Sequence, residues 1–91
     1  MPRVATDAAA KIGRNIAELR QAVSLTQDQV AAATGIDSSN IRAYENGRAM
    51  PNIQSLLRIA SALGAEPSDL LENVTLEMFG HRSHDGRRRA G

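Results

Sequence analysis

The chain has 91 residues, 42% of them apolar, with no cysteine and a formal net charge of +1, a composition that suits one soluble domain with a modest core. The missing thiols exclude cysteine nucleophiles, disulfides, redox sensing and cysteine-ligated zinc. No apolar run approaches the roughly 20 residues that cross a bilayer, and Met1-Pro2-Arg3 leads into no signal-peptide core, so a cytoplasmic protein is expected.

The charge is unevenly distributed. Residues 80 to 91 hold Arg82, Arg87, Arg88 and Arg89 against Asp85, a net +3, whereas residues 1 to 79 hold seven Lys or Arg against nine Asp or Glu, a net −2. Nucleic-acid binding by such a chain must rely on a local basic patch rather than a global field. The only aromatic residues are Tyr44 and Phe79. That is too few to stack unpaired bases, which argues against single-stranded DNA or RNA.

The first apolar stripe runs from about Asp7 to Ala22, with Ala9, Ile12, Ile16, Leu19 and Val23 at helical spacing behind Thr6 as cap. A second helix opens at Thr26, whose spacing to Gln29 is that of a capping box, with Leu25 and Val30 as hydrophobic staple; it must stop at Thr34-Gly35. A third starts two residues on, with Asp37 as N-cap, Ile36 and Ile41 as staple, and Gly47 after Asn46 as its end. After the break at Met50-Pro51-Asn52, Leu56, Ile59, Ala60 and Leu63 give a fourth helix ending at Gly64. Pro67 suits the first turn of a fifth, with Ser68 and Asp69 at its positive end and Leu70-Leu71 facing the core. The reading is all-α, with five helices and no sheet in residues 8 to 72. From Val74 to Phe79 a strand and a helix fit equally well: Val74, Leu76 and Met78 alternate, while Leu71, Val74 and Met78 share a helix face. Residues 80 to 91 have the composition of a disordered basic tail.

Residues 27 to 44 have the spacing of a helix-turn-helix, two short helices around a tight turn. Val30, Ile36, Ile41 and Tyr44 supply its shared core, and Ala31 is small where the helices meet. On the third helix, Ile41, Tyr44 and Glu45 share one face and leave Ser38, Ser39, Arg42, Ala43 and Asn46 on the other. That outward stripe is polar, small and nearly free of carboxylates, a chemistry that fits the base edges of a major groove.

Arg20 and Gln27, with Ala31, Gly35-Ile36, Ile41, Tyr44-Glu45-Asn46-Gly47, Pro51, Leu56, Ile59-Ala60, Ala62-Leu63 and Leu70-Leu71, closely resemble the lambda-repressor/Cro type of helix-turn-helix domain over about residues 10 to 72. The resemblance implies a five-helix, lambda-repressor-like DNA-binding domain over residues 7 to 72, with the helix that begins at Ser38 as recognition helix. It further implies that Gln27 contacts the DNA backbone and buttresses the start of that helix. Ser38, Ser39 and Ala43 stand where such proteins read bases, Arg20 and Glu45 form an internal ion pair, and Asn46 with the Arg48 loop grips phosphates. Thr26 and Asn40 complete the expected DNA-contacting set. Arg42 departs from the small residue common at its position, so its side chain reaches either a guanine or a phosphate. Ser38 and Ser39 are short, which points to weak or water-mediated readout at their positions.

The function expected is a double-stranded DNA-binding transcription regulator acting as a homodimer on a pseudo-palindromic operator, associated with the nucleoid when bound. Residues 73 to 79 are expected to carry dimerisation through Val74, Leu76, Met78 and Phe79, the apolar side chains left once the core is filled. The rival reading is an antitoxin-like or other protein-interaction module of the same fold. No enzyme, cofactor or metal site is expected: His81 and His84 on a tail make a poor ligand pair, and no nucleophile-base pair or phosphate-cradling glycine loop appears. The Arg87-Arg88-Arg89 run reads as a solvated tail or as an auxiliary phosphate contact.

Overall fold

Three of the five helices begin where a side chain takes up unpaired N–H groups. In the computed structural model, which describes residues 6–80, α1 spans Asp7–Ala22, α2 Gln27–Thr34, α3 Ser38–Glu45, α4 Ile53–Leu63 and α5 Pro67–Leu70, followed by a 3-10 turn at Leu76–Phe79. Thr6 Oγ1 accepts from the Ala9 N–H at 3.0 Å. The Thr26 N–H donates to Gln29 Oε1 at 2.8 Å, while the Gln29 N–H donates to Thr26 Oγ1 at 3.0 Å. Asn52 Oδ1 accepts from the Ser55 N–H at 2.8 Å. Helix α3 departs from expectation. Asp37 occupies its N-cap position, but the carboxylate caps no backbone N–H and instead accepts from the Ser39 hydroxyl at 3.1 Å.

No strand occurs among the described residues, so the all-α, five-helix reading holds and the ambiguous segment resolves into a 3-10 turn. The tail expected over residues 80 to 91, with His81, His84 and the arginine run, lies beyond Gly80 and outside the described residues. No helix of the described residues is long and apolar enough to cross a membrane.

The core is aliphatic, with Ile12, Ile16, Val30, Ile41, Ile59 and Leu70 fully buried and Leu19, Leu25, Ala31, Tyr44 and Val74 packed against its edge. Helix α1 runs through the assembly and touches α3, α4, α5 and the 3-10 turn; α2 packs on α3 and α4. Two expected core positions lie at the surface. Helix α5 ends at Leu70, so Leu71 is its C-cap and is exposed, and Val23 is the exposed C-cap of α1. Both leave the helix just where its apolar stripe stops being aimed inward.

Two residues of α1 decide how close the other elements come. Asn15 is buried, and its amide nitrogen donates to the carbonyls of Leu70 at 2.9 Å and Glu72 at 3.0 Å. It thereby satisfies carbonyls that the short α5 leaves without partners. Gly13 lies against the last turn of α3. A Cβ there would overlap the carbonyl oxygen of Tyr44 and stand 2.8 Å from that of Glu45.

The segment expected to dimerise divides. Val74 packs against the chain's own core and Met78 is half-buried, while Leu76 is 83% exposed and Phe79 45%.

Gly13→Ala should destabilise the fold by about 1–3 kcal/mol despite alanine's better helix propensity, because the added methyl meets backbone that cannot swing aside. Gly64→Ala, where a Cβ meets open space at φ +67°, should cost only about 1–2 kcal/mol of left-handed strain. Urea denaturation compares the two, with unchanged stability of Gly13→Ala as the contrary result.

Candidate nucleic-acid interface

The turn between α2 and α3 is set by its own backbone. Gly35 adopts φ +74°, and its N–H donates to the Ala31 carbonyl at 2.9 Å, a conformation glycine takes without a Cβ penalty. The buried Thr34 hydroxyl donates to the Val30 carbonyl at 2.7 Å and accepts from the Ile36 N–H at 3.2 Å. Ile36 and Ile41 are then buried beside Val30, which fixes the face that α3 turns outward.

Glu45 holds the far end of α3. Its Oε2 accepts from Arg20 Nε at 2.7 Å and its Oε1 from Arg20 Nη2 at 3.0 Å, a bidentate pair with side chains only 13% and 5% exposed. Gln27 Nε2 donates to the same Oε1 at 2.8 Å, and Arg20 Nη1 reaches the Leu25 carbonyl at 2.8 Å. The hydrogen bond to Glu45 raises the Arg20 pKa, against the opposing effect of burial and with help from the carboxylate's charge. A raised arginine pKa keeps the cation present throughout the ordinary pH range. The expected Arg20–Glu45 pair is therefore formed. Gln27 buttresses the end of α3, not its start, because its side chain points back towards Glu45.

The opposite face of α3 is open. Ser39, Asn40, Arg42 and Asn46 are exposed, and Ser38 and Ala43 are half-buried. Thr26 is exposed and Gln27 half-buried at the start of α2. After α3, the Arg48 N–H donates to the Ala43 carbonyl at 2.9 Å, and Gly47 at φ +76° lies against Ala10 of α1. This loop leaves Arg48 exposed beside Asn46. The structure thus brings Ser38, Ser39, Asn40, Arg42, Ala43, Asn46 and Arg48 onto one helix and the loop after it.

Sequence reasoning missed three contributors, Gly13, Asn15 and Asp28, and misjudged the partner of a fourth, Asp37. Gly13 and Asn15 place α1 but look like ordinary helix residues in sequence; a glycine inside a strong helix pattern was the available signal for the first. Asp37 engages Ser39, and Asp28 of α2 lies 3.9 Å from Arg42 Nη1, while Arg42 Nη2 donates to Ser38 Oγ at 3.4 Å. The outward stripe of α3 is itself free of carboxylates, but two flank it.

Residues 16–70 match the family model described as helix-turn-helix. The chain belongs to the helix-turn-helix family. This helix-turn-helix protein is 34% identical over 71 residues to an HTH-type transcriptional regulator of Sinorhizobium fredii, covering 78% of this chain and 92% of the relative. It is 38% identical over 53 residues to the cryptic phage CTXphi transcriptional repressor RstR of Vibrio cholerae, covering 58% of this chain and 47% of that one. Among solved structures it superposes on the restriction-modification controller protein C.AhdI of Aeromonas hydrophila with a TM-score of 0.67 at 34% identity, covering 68% of this chain and 94% of the other. The P22 c2 repressor, solved with a synthetic operator, gives a TM-score of 0.63 at 26% identity, with coverages of 67% and 92%. The lambda-repressor/Cro kinship read from the motif residues therefore stands, and the protein is a DNA-binding transcription regulator, not an enzyme.

Removing one partner of the Arg20–Glu45 pair should be costly, since it leaves a mostly buried charge alone. Glu45→Leu should lose about 3 kcal/mol or more, whereas Arg20→Met combined with Glu45→Leu should recover most of that loss. Thermal denaturation of the single and double variants measures the coupling, and strictly additive losses would contradict it.

Proposed function

We propose that the protein binds double-stranded DNA sequence-specifically as a homodimer on a pseudo-palindromic operator, acting as a repressor or controller in the cytoplasm. The observation that carries this reading is the two-sidedness of α3: Glu45 is tied inward to Arg20 and Gln27, while Ser39, Asn40, Arg42 and Asn46 are exposed. Helix α3 enters the major groove. There Ser38, Ser39 and Ala43 meet base edges, Ser38 and Ser39 in part through water, and Arg42 reaches a guanine. Thr26, Gln27, Asn40, Asn46 and Arg48 hold the flanking sugar-phosphate backbone, which fixes register without reading sequence. That the similar P22 c2 repressor was solved in complex with a synthetic operator supports double-stranded DNA as the partner.

A single module of this size with short serines makes few base contacts, so two-fold symmetry supplies the remainder and sets half-sites about 34 Å apart. Leu76 and Phe79, with Leu71 and Val23, are large apolar side chains left exposed at the ends of α1, α5 and the 3-10 turn, and they support an interface with a second copy.

Selection of bound fragments from random DNA tests the reading and returns the operator; enrichment of no sequence would reject it. Arg42→Ala should then weaken operator binding by about 1–3 kcal/mol with far less effect on random DNA, whereas equal loss on both would assign Arg42 to the backbone. Leu76→Asp should convert the dimer to a monomer in sedimentation at micromolar concentration with its helical circular dichroism intact. A persisting dimer would move the interface elsewhere.

A further inference from the structure

We propose that Asp28 is a specificity-determining residue that acts with Arg42 as one unit, directing Arg42 to the guanine of a G·C pair and suppressing sequence-independent binding. The inference rests on the reading above, in which α3 enters the major groove. Asp28 belongs to the first turn of α2 and Arg42 to the second turn of α3, yet their charged atoms stand 3.9 Å apart, with side chains 82% and 51% exposed. A pair so exposed adds little to the stability of the fold. Its effect is on where the guanidinium sits. Asp28 Oδ1 lies in ion-pair range of one nitrogen, and Ser38 Oγ accepts from the other at 3.4 Å, so the half-exposed fork is biased towards the start of α2 and the first turn of α3.

That placement suits one base pair chemically. On the major-groove edge, guanine offers two acceptors, O6 and N7, to a bidentate arginine, and its partner cytosine offers an N4 amine donor to a carboxylate. A G·C pair thus presents side by side the groups that Arg42 and Asp28 require. A phosphate presents only acceptors. For Arg42 to grip one it must leave Asp28, and the freed carboxylate then faces the charged backbone unpaired.

The test measures binding of the wild type, Asp28→Asn, Asp28→Glu, Arg42→Ala and the Asp28→Asn/Arg42→Ala double variant by fluorescence anisotropy. The probes are the fragment selected by the wild type and a scrambled duplex of equal length, across a potassium chloride series. Asp28→Asn should bind the scrambled duplex about three- to tenfold more tightly at low salt, and its plot of log affinity against log salt should steepen by about one unit as Arg42 gains a phosphate. Its affinity for the selected fragment should stay level or fall, so the ratio contracts; Asp28→Glu should keep the wild-type ratio. In the Arg42→Ala background, where the carboxylate is already unpaired, Asp28→Asn should raise affinity for both duplexes alike and leave their ratio unchanged. Equal changes on both duplexes with Arg42 present, a contraction of the ratio that persists without Arg42, or selection by the wild type of no G·C pair at the position Arg42→Ala relaxes would each overturn the inference. A silent Arg42→Ala on every duplex would instead overturn the reading of α3 as the groove-entering helix, and an effect of Arg42→Ala with Asp28→Asn silent would overturn this inference alone.

Discussion

The inward capture of Glu45 is the constraint on which the rest of the binding head depends. A carboxylate in the last turn of a helix sits at the unfavourable end of the helix dipole, and on a helix proposed to enter a DNA groove it would face phosphates. Here its two oxygens take three donors from two other segments: Nε and Nη2 of Arg20 on α1, and the Gln27 amide on α2. One side chain thereby ties together the three helices that frame the interface. A mostly buried ion pair is uncertain in its net contribution to stability. Its bidentate geometry is what matters, because it fixes the rotation of α3 about its own axis and hence which residues are left facing out.

That rotation was legible in the sequence to the extent that it is set locally. Caps, stops and apolar spacing act within a few residues, so Thr6, Thr26 with Gln29, Gly35, the break ending at Asn52, and Gly64 bounded three helices where the structure has them. The Arg20–Glu45 pair, 25 residues apart in sequence, was legible only through the resemblance. Contacts that depend on the path of the whole chain were not. Nothing local distinguishes the Gln27 amide that reaches the end of α3 from one that reaches its start, or the Asp37 carboxylate that takes a hydroxyl from one that caps a backbone. Six residues from Val74 to Phe79 were too few to separate a period of two from one of three and a half. What decides them is α1, which offers a surface for a tight turn and no neighbouring strand to pair with.

Helix α1 contacts both the end of α3 and the chain that leads to the 3-10 turn. Along one helix, Ala10 meets Gly47, Gly13 meets the carbonyls of Tyr44 and Glu45, Asn15 holds the carbonyls of Leu70 and Glu72, and Arg20 binds Glu45. The first two and the last contact the end of α3 and the loop after it; the third contacts the chain leading to the 3-10 turn. A regulator that reads two half-sites needs a fixed distance and angle between its recognition helix and its symmetry axis. Leu76 and Phe79 are exposed in the segment that α1 holds through Asn15, and Arg42 is exposed on the helix that α1 holds through Arg20 and Gly13. The tightest contact of α1 is at Gly13, backbone against backbone with no side chain between them to yield. In the proposed dimer, the spacing of the half-sites then depends on the small and amide side chains of α1 as well as on the residues proposed to touch DNA.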